Sequence, residues 1–318
     1  MAVLRRHPVG ELVQVRLPDV DVPRCLEAPN YTLFSNTTSQ QEYNATAEVP
    51  VGSLESPHNL IHLAVGGFDL PKVMDASPLE GANGDMGEND TAGLDPIFYF
   101  HHCFVDRMFW LWQQKHGATD RLSIIAGYPG TNSVDNQGPT PGVAPNSWLT
   151  LESPLDPFRL TDAAGERAYT SLDCINIEAQ LGYTYGPGSV PALPPPAITA
   201  AEPGAVAQGA AMSTKMVRVA GINRAQIRGS FLVSTFAVIG SERHLIGTEA
   251  VLSRWNVSGC ANCQTHVETK AVVPLHAFDA AVVDRAAFEV EVHTRDGILK
   301  GPKVAPGAPH KRFQIEIR

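Results

Sequence analysis

The sequence predicts a mixed α and β protein in which a helical region is followed by an antiparallel β-sandwich. Two segments with helical patterns, 53–65 and 95–117, lie in the first half of the chain. From Lys215 onward, short runs such as FLVSTFAVIG and FEVEVHT alternate apolar and polar residues, which is typical of sandwich strands. The stretch before them is rich in Pro, Ala and Gly and indicates an extended linker. The predicted parts are a helical domain at 1–186, the linker at 187–214 and the sandwich at 215–318.

The composition is that of a soluble globular protein, with 43% hydrophobic and 18% charged residues. The net charge of -9 argues against a nucleic-acid binder, because neutralising phosphates requires a basic face. No apolar run approaches the roughly 18 residues that a membrane helix requires. The basic N-terminus lacks the apolar core of a secretory signal. We therefore expect no nucleic-acid or membrane partner and a cytoplasmic location, with secretion as the alternative if the true N-terminus is missing.

Capping residues predict the ends of the two helices. Ser56 can cap the first helix, and Pro57 suits its first turn. For the second helix, Asp95 is a natural N-cap, Pro96 a natural first residue and Gly117 a natural stop. Between these ends the second helix is mostly apolar, so we expect it to be buried and central.

Four histidines on these helices predict a metal site. His58 and His62 are four residues apart, which places both imidazoles on one helix face within reach of one ion. His101 and His102 lie in the apolar second helix, where a buried ring must be bonded or ligated. Consecutive helical residues point about 100° apart, so at most one of this pair should face the same metal. The alternative is a pair of core histidines that donate to backbone carbonyls.

The segments that carry these histidines are SLESPHNLIHLAVGG and GDMGENDTAGLDPIFYFHHCFVDRMFWLWQ. They resemble the second copper site of tyrosinases and catechol oxidases, especially the fungal enzymes. The family pattern is His-x-x-x-His, a loop, then Asp-Pro-Ile-Phe-x-x-His-His-x-x-x-Asp-Arg, and every position is filled here. In the family, the third ligand is the second histidine of the pair. The resemblance therefore implies that His58, His62 and His102 bind one copper ion, with His101 bonded elsewhere or packed beside the site.

Other segments extend this resemblance over most of the chain. YTLFSNTTS resembles the segment between the two copper sites of fungal members, and Tyr183 and Tyr185 resemble the Tyr-x-Tyr signature that closes the catalytic domain. The β-rich segment resembles the C-terminal domain that can cover the active site in fungal members. The resemblance implies a partial helical-bundle tyrosinase core with the second copper site, followed by a β-sandwich.

Four neighbours of the histidines are candidate site residues. In the family, a Glu and an Asn at the positions of Glu55 and Asn59 are associated with a water that deprotonates a bound phenol. The alternative is a Glu favoured by the helix dipole and an Asn of the capping region. Phe98 is expected to pack against the ligand rings, the substrate or the core. Asp106 lies one turn after the pair and is a candidate acceptor for a ligand imidazole N–H.

The first copper site of the family has no counterpart in this sequence. It should lie N-terminal to the second site and supply three more histidines, but only His7 precedes His58. We therefore expect one copper from this chain, against two in the complete family site. The chain is interpreted as a fragment or truncated form of a tyrosinase, inactive or weak alone. A half-site protein with one copper and a remnant that has lost catalysis are the alternatives.

Cys260 and Cys263 form a CxxC pair in the β-rich segment. Thiolates favour copper(I), and a C-terminal CxxC is linked to copper loading in fungal relatives, which adds a copper chaperone to the candidate partners. A local turn with two idle thiols is the alternative. The resemblance implies an enzyme that oxidises monophenols and catechols to o-quinones with dioxygen. A non-catalytic copper-binding protein and an oxygen carrier of the haemocyanin type are the alternative functions.

Overall fold

The structure is a computed structural model. It describes residues 2–6, 12–16, 22–67, 69–70, 74–75, 84–128, 143–144, 147–186, 213–254, 268–275, 278–300 and 314–317. Nearly all of the predicted linker lies outside these ranges, and so do Cys260 and Cys263. The boundaries of the three predicted parts therefore stay predictions.

Helices occupy the part of the chain that the sequence assigns to them. In the helical region they are α1 (Val22–Leu26), α2 (Tyr31–Ser35), α3 (Thr37–Asn44), α4 (Glu55–Gly66) and α5 (Ile97–His116). The Asn30 side chain accepts the N–H of Leu33, and the Asn36 side chain accepts that of Ser39, at 3.0 and 2.8 Å. These bonds satisfy backbone donors that a helix start leaves without partners, which explains why the chain turns into α2 and α3 here.

The ends of α4 and α5 agree with the sequence in part. The Asp95 Oδ1 accepts the Ile97 N–H at 3.0 Å, but α5 begins at Ile97, one residue later than predicted; Gly117 ends it at a left-handed φ of 61°. The prediction that Ser56 caps α4 is wrong. The helix begins after Leu54 without a side-chain cap, and the Ser56 hydroxyl donates to Glu249 at 3.0 Å.

The carboxyl half of α5 is the centre of the helical core. Trp112 stacks on Phe34 with ring centroids 4.8 Å apart, and its indole N–H donates to the Ala28 carbonyl at 2.8 Å. Gln113 is buried and donates to the carbonyls of Ala118 and Ile175. These bonds fix the helix against both α1 and the later segment at 171–181.

The amino half of α5 does not fit the prediction of a buried central helix. Large apolar side chains on this half are exposed, namely Ile97, Tyr99, Phe100 and Phe104. Cys103, between them, is also exposed. The apolar composition predicted burial, but no described residue covers this face.

The predicted antiparallel β-sandwich is confirmed. Its strands are β7 (Met216–Asn223), β8 (Phe231–Ile239), β9 (Glu242–Val251), β10 (Glu268–Pro274), β11 (Ala287–Thr294), β12 (Gly297–Lys300) and β13 (Gln314–Ile317). They form a four-stranded sheet of order β12-β11-β8-β9 and a three-stranded sheet of order β10-β7-β13. Alternate residues such as Val217, Val233 and Val290 are fully buried between the sheets, as period two requires. A short helix, α6 (Ala280–Val283), precedes β11.

Three two-stranded antiparallel hairpins lie outside the sandwich. They are β1 (Ala2–Arg6) with β2 (Leu12–Arg16), β3 (Asp69–Leu70) with β4 (Met74–Asp75), and β5 (Pro154–Asp162) with β6 (Gly165–Thr170). Within the described ranges, the helices are too short or too polar to cross a membrane.

The sandwich packs directly on the helix that carries His58 and His62. Ala250 of β9 lies in an apolar cluster with Leu60 and Leu63 of α4. A second contact lies farther from the histidines, where the Lys270 ammonium pairs with Glu42 of α3 at 3.4 Å. The fold therefore holds α4 between the helical core and the four-stranded sheet.

Candidate metal centre

Helices α4 and α5 bring the four predicted histidines together. The ring centroid of His58 lies 4.5 Å from that of His62, 5.0 Å from that of His101 and 5.1 Å from that of His102. His62 is only 1% exposed, and His101 is also buried. The i, i+4 spacing on α4 and the crossing of α5 create this cluster.

Three of the rings are oriented by hydrogen bonds at Nδ1. The His62 Nδ1–H donates to the Met86 carbonyl at 2.8 Å, and the His102 Nδ1–H donates to the Phe98 carbonyl at 2.8 Å. The His58 Nδ1 lies 2.9 Å from the Asn59 side-chain oxygen. We assign the proton to Nδ1 in each ring because the partner oxygen can only accept. This arrangement leaves Nε2 of all three rings as a lone-pair donor, as in metal-binding histidines.

The three Nε2 atoms converge. His58 Nε2 lies 3.1 Å from His62 Nε2 and 3.2 Å from His102 Nε2. Nitrogens that bind one ion at about 2 Å are themselves roughly 3 Å apart. With Nδ1 protonated, these atoms turn lone pairs toward one another, which is unfavourable unless a cation lies between them. The donor set therefore fits a bound metal ion.

Burial favours the neutral form of His58, His62 and His101. Burial lowers the pKa of His58, and it lowers the pKa of His62 to about 4 despite the hydrogen bond to Met86. Burial lowers the pKa of His101 to about 3, and the three neighbouring histidines act in the same direction. Neutral imidazole is the form that binds metals, so the rings do not have to lose protons near neutral pH before binding.

His101 competes with His102 for the third ligand position. The ligand atoms of His58, His62 and His101 all lie within 4.8 Å of one another, and no described residue hydrogen-bonds to the buried His101 Nε2. The His102 Nε2 lies 3.2 Å from the His58 Nε2, and its Nδ1 is anchored to the Phe98 carbonyl. Both rings therefore fit, and we favour His102 because its Nε2 points at the same place as those of His58 and His62.

The other predicted site residues surround the cluster. The Phe98 ring packs on His102, with centroids 3.9 Å apart, and lies 5.9 Å from His62. Asn59 is buried beside His58. Glu55 lies one turn earlier on α4, where its Oε2 accepts the N–H and hydroxyl of Thr37 at 2.7 and 2.8 Å. Glu55 and Asn59 therefore share a helix face but have different protein partners.

Asp106 has a role that the sequence did not predict. Its Oδ2 accepts the hydroxyls of Tyr183 and Tyr185 at 2.9 and 2.5 Å, instead of a ligand imidazole N–H. The Tyr185 hydroxyl also lies 3.1 Å from the Cys103 carbonyl. Burial raises the pKa of both tyrosines, and the hydrogen bonds and charge of Asp106 raise it further. The Tyr-x-Tyr segment is thus fastened to the carboxyl side of the histidine pair.

Met86 is a site residue that the sequence reading missed. It contributes a carbonyl oxygen and not a side chain, so its residue type carries no signal for this role. The glycines around it, Gly84 and Gly87, were the available hint that the backbone comes close to another element here. Gly84 precedes and Gly87 ends a one-turn 3-10 helix, Asp85–Gly87, which we call the anchor turn.

Fold and site together define a histidine metal centre held between two helices and supported by a β-sandwich. Residues 6–115 match the common central domain of tyrosinase. A tyrosinase from Hahella sp. is 50% identical over 278 residues, which cover 86% of this chain and 48% of that protein. A tyrosinase from Aspergillus oryzae is 45% identical over 301 residues, which cover 86% of this chain and 52% of that protein. The solved structure of a tyrosinase from Burkholderia thailandensis at low pH matches with a TM-score of 0.71 and 52% identity, over 87% of this chain and 52% of that one.

Residues 6–115 therefore carry a tyrosinase family domain, and the matched relatives that extend over most of the chain are tyrosinases. The chain spans about half the length of the relatives that it matches. These relatives are bacterial as well as fungal, so the likeness is wider than the fungal members that the sequence suggested. Tyrosinases are copper proteins, and the histidine cluster is the place in the described structure where copper would bind.

Proposed function

We propose that this chain provides one copper-binding half of a tyrosinase-type centre that oxidises phenols and catechols to o-quinones with dioxygen. The convergence of Nε2 of His58, His62 and His102 is the observation that supports this proposal most directly. The names of the relatives support the class of reaction. They also favour oxidation over oxygen transport of the haemocyanin type.

The residues of the chain would hold and orient the metal. When bound, copper supplies the redox chemistry between dioxygen and the phenol. The three imidazoles supply neutral nitrogen donors, and the carbonyls of Met86 and Phe98 fix the direction of two of them. The Phe98 ring covers one side of His102 and so excludes water there.

Glu55 and Asn59 are proposed to hold the water that accepts the phenol proton. Thr37 occupies Oε2 of Glu55, so the water would bind Oε1 of that carboxylate. The Asn59 oxygen faces His58, which leaves the Asn59 NH₂ group to donate to the water oxygen. The proton would move from the phenol to the water and then to Glu55.

A complete two-copper centre requires further ligands. Within the described ranges, one group of three metal-binding side chains is present. We therefore expect the chain alone to bind one copper and to oxidise phenols weakly or not at all. The same observation favours the alternative, a non-catalytic protein that binds a single copper. Copper loading through Cys260 and Cys263, delivery by a copper chaperone, and a cytoplasmic location belong to the proposal as well.

Copper(II) titration of the purified chain tests the site. We expect one copper per chain, with nitrogen hyperfine structure from imidazoles in the electron paramagnetic resonance spectrum. His102→Ala should weaken binding by at least about tenfold, whereas the matched variant His101→Ala should change it much less. A chain that binds no copper would refute the site, and the reverse order of the two variants would make His101 the third ligand.

Oxygen uptake with a monophenol and with a catechol tests the activity. Copper-loaded chain alone should turn over a catechol slowly or not at all. Fast turnover with two coppers per chain would show that the missing ligands lie in residues outside the described ranges. One tightly bound copper with no turnover under any condition would favour the non-catalytic alternative.

A further inference from the structure

The orientation of His62 depends on a single backbone carbonyl. The Met86 carbonyl accepts the His62 Nδ1–H at 2.8 Å, and both residues are buried. Any rotation of the anchor turn would move this carbonyl and remove the constraint on the His62 ring. What holds the anchor turn therefore also holds the ligand.

On one side, α4 itself touches the anchor turn backbone to backbone. The Gly84 N–H donates to the Gly66 carbonyl at 2.6 Å. A Cβ added to Gly66 would lie 2.1 Å from the Gly87 nitrogen, so only glycine fits there. This contact sets the distance between α4 and the anchor turn. It leaves the anchor turn free to rotate about the point of contact.

On the other side, the β-sandwich supplies two bonds. The hydroxyl of Ser230, the residue before β8, donates to the Gly87 carbonyl at 3.0 Å. The Ser253 N–H donates to the same hydroxyl oxygen at 3.1 Å, and the hydroxyl lies closer to the Gly87 carbonyl than to its second acceptor, the Ser253 carbonyl at 3.3 Å. Ser230 is fully buried, so water does not compete with this bond.

The second bond is a buried ion pair. The Arg295 guanidinium, in the turn between β11 and β12, donates to Glu88 Oε1 at 2.7 Å. The Arg295 side chain is 4% exposed and that of Glu88 is 18% exposed. Because both charges are shielded from water, removal of the Arg295 guanidinium takes a charged partner away from the Glu88 carboxylate. Gly87 and Glu88, the two residues that follow Met86, are therefore both bound to the sandwich.

We propose that Ser230 and Arg295 are positioning residues for the metal centre, acting through the anchor turn on the Met86 carbonyl and thereby on His62. The inference rests on the proposed copper site, since it assigns His62 as a ligand. The sandwich then does more than cover the helical region. It supplies part of the support that keeps one ligand nitrogen aimed at the metal.

Another contact between the two parts of the chain provides a matched control. Lys270 of the sandwich pairs with Glu42 of α3, on a helix that carries none of the histidines. Lys270→Ala therefore weakens the contact between the same two domains without changing any contact of the anchor turn. This variant shows whether the loss of an ion pair between the domains is by itself enough to change copper affinity.

The test compares copper(II) affinity in Arg295→Ala, Arg295→Lys, Ser230→Ala and Lys270→Ala, by competition with a chromophoric chelator. We expect about a tenfold or greater loss for Arg295→Ala, a smaller loss for Ser230→Ala, partial recovery for Arg295→Lys and no loss for Lys270→Ala. Circular dichroism identifies any variant that fails to fold, and Arg295→Lys and Ser230→Ala then decide the result. Equal losses for Arg295→Ala and Lys270→Ala, or wild-type affinity in every variant that folds, would overturn the proposal.

A second measurement does not depend on copper. The ¹⁵N resonances of the His62 ring report its tautomer in the metal-free protein. Wild type and Lys270→Ala should show His62 protonated at Nδ1, and Arg295→Ala should show a mixture of tautomers. If the wild type binds no copper, the proposed function fails, but the tautomer still decides this inference. An unchanged tautomer in folded Arg295→Ala would overturn it.

Discussion

The β-sandwich and the helical region bury their aromatic side chains differently. In the sandwich, Phe231 and Phe288 are buried between two sheets whose alternating residues form a single core. In the helical region, the carboxyl half of α5 is buried, but its amino half presents Phe100 with 72% of its surface exposed. The histidine pair lies on this amino half. The sandwich therefore closes over its own core, whereas the described helical region leaves part of its central helix uncovered.

The exposure of the amino half of α5 determines which interactions keep the histidine cluster in position. An uncovered helix face contributes little burial energy, so the position of the cluster depends more on individual hydrogen bonds. The carbonyls of Met86 and Phe98 and the ion pair of Arg295 with Glu88 are bonds of this kind. We expect the sandwich to respond to changes in packing and the cluster to respond to the loss of single polar contacts.

The largest effect on the free energy of unfolding is expected when a buried phenylalanine is replaced, in comparison with an exposed one. Phe231→Ala removes a ring that is 0% exposed and should lower the free energy of unfolding by about 3 to 5 kcal/mol. Phe100→Ala, the matched control, should change it by less than about 0.5 kcal/mol, because that ring already contacts water. Urea unfolding followed by circular dichroism measures both. A large loss for Phe100→Ala would break the comparison, since it would mean that the face is covered in solution.

A smaller effect is expected where the two regions meet. Burial raises the pKa of Glu249 to about 7, the charge of Glu55 acts in the same direction, and the hydrogen bond from Ser56 opposes both. The unfolded chain has the ordinary value of 4.5, so the folded state holds the proton more tightly. The stability due to this proton is fully present below pH 4.5 and is lost as the pH rises through about 7.

Glu249→Gln should remove this dependence on pH. The free energy of unfolding of Glu249→Gln minus that of wild type should increase by about 1 to 3 kcal/mol between pH 4.5 and pH 8. Ser56→Ala removes a donor that stabilises the ionised carboxylate, so it should increase the loss at high pH. Urea unfolding across this pH range is the measurement. Parallel curves for wild type and Glu249→Gln would contradict the assignment of Glu249.

The smallest effect concerns two tyrosine hydroxyls near α5. Tyr185→Phe removes the hydroxyl bound to Asp106 and should cost about 1 kcal/mol. Tyr99→Phe removes an exposed hydroxyl that donates to the Gly93 carbonyl at 3.2 Å, and it should cost less. Thermal unfolding of the two variants compares them. Equal costs would mean that the hydrogen bond from Tyr185 to Asp106 stabilises the protein no more than the exposed hydrogen bond from Tyr99 to Gly93.

Much of the fold could be predicted because it depends on local patterns. The Gly117 stop of α5 and the alternation in β8 and β11 follow from short-range chemistry. The spacing of His58 and His62 places their rings together for the same reason. These features require no knowledge of what packs against them.

The supports of the site could not be predicted because they come from distant parts of the chain. Met86 lies 24 residues after His62 and acts through a carbonyl that every residue type has. Asp106 was expected to bond an imidazole, but two tyrosines nearly 80 residues later are its partners. The exposure of Phe100 was missed because an apolar helix predicts burial without saying what covers it.

The ion pair between Glu88 and Arg295 has a consequence for biosynthesis. The two residues are 207 positions apart in the sequence. At ribosomal rates of about 5 to 20 residues per second, Arg295 follows Glu88 by roughly 10 to 40 seconds. During that interval the nascent chain already has His58 and His62 but lacks the turn that carries Arg295. If Arg295 positions the anchor turn as proposed, His62 would be fully oriented for copper only after this part of the sandwich has been translated and folded.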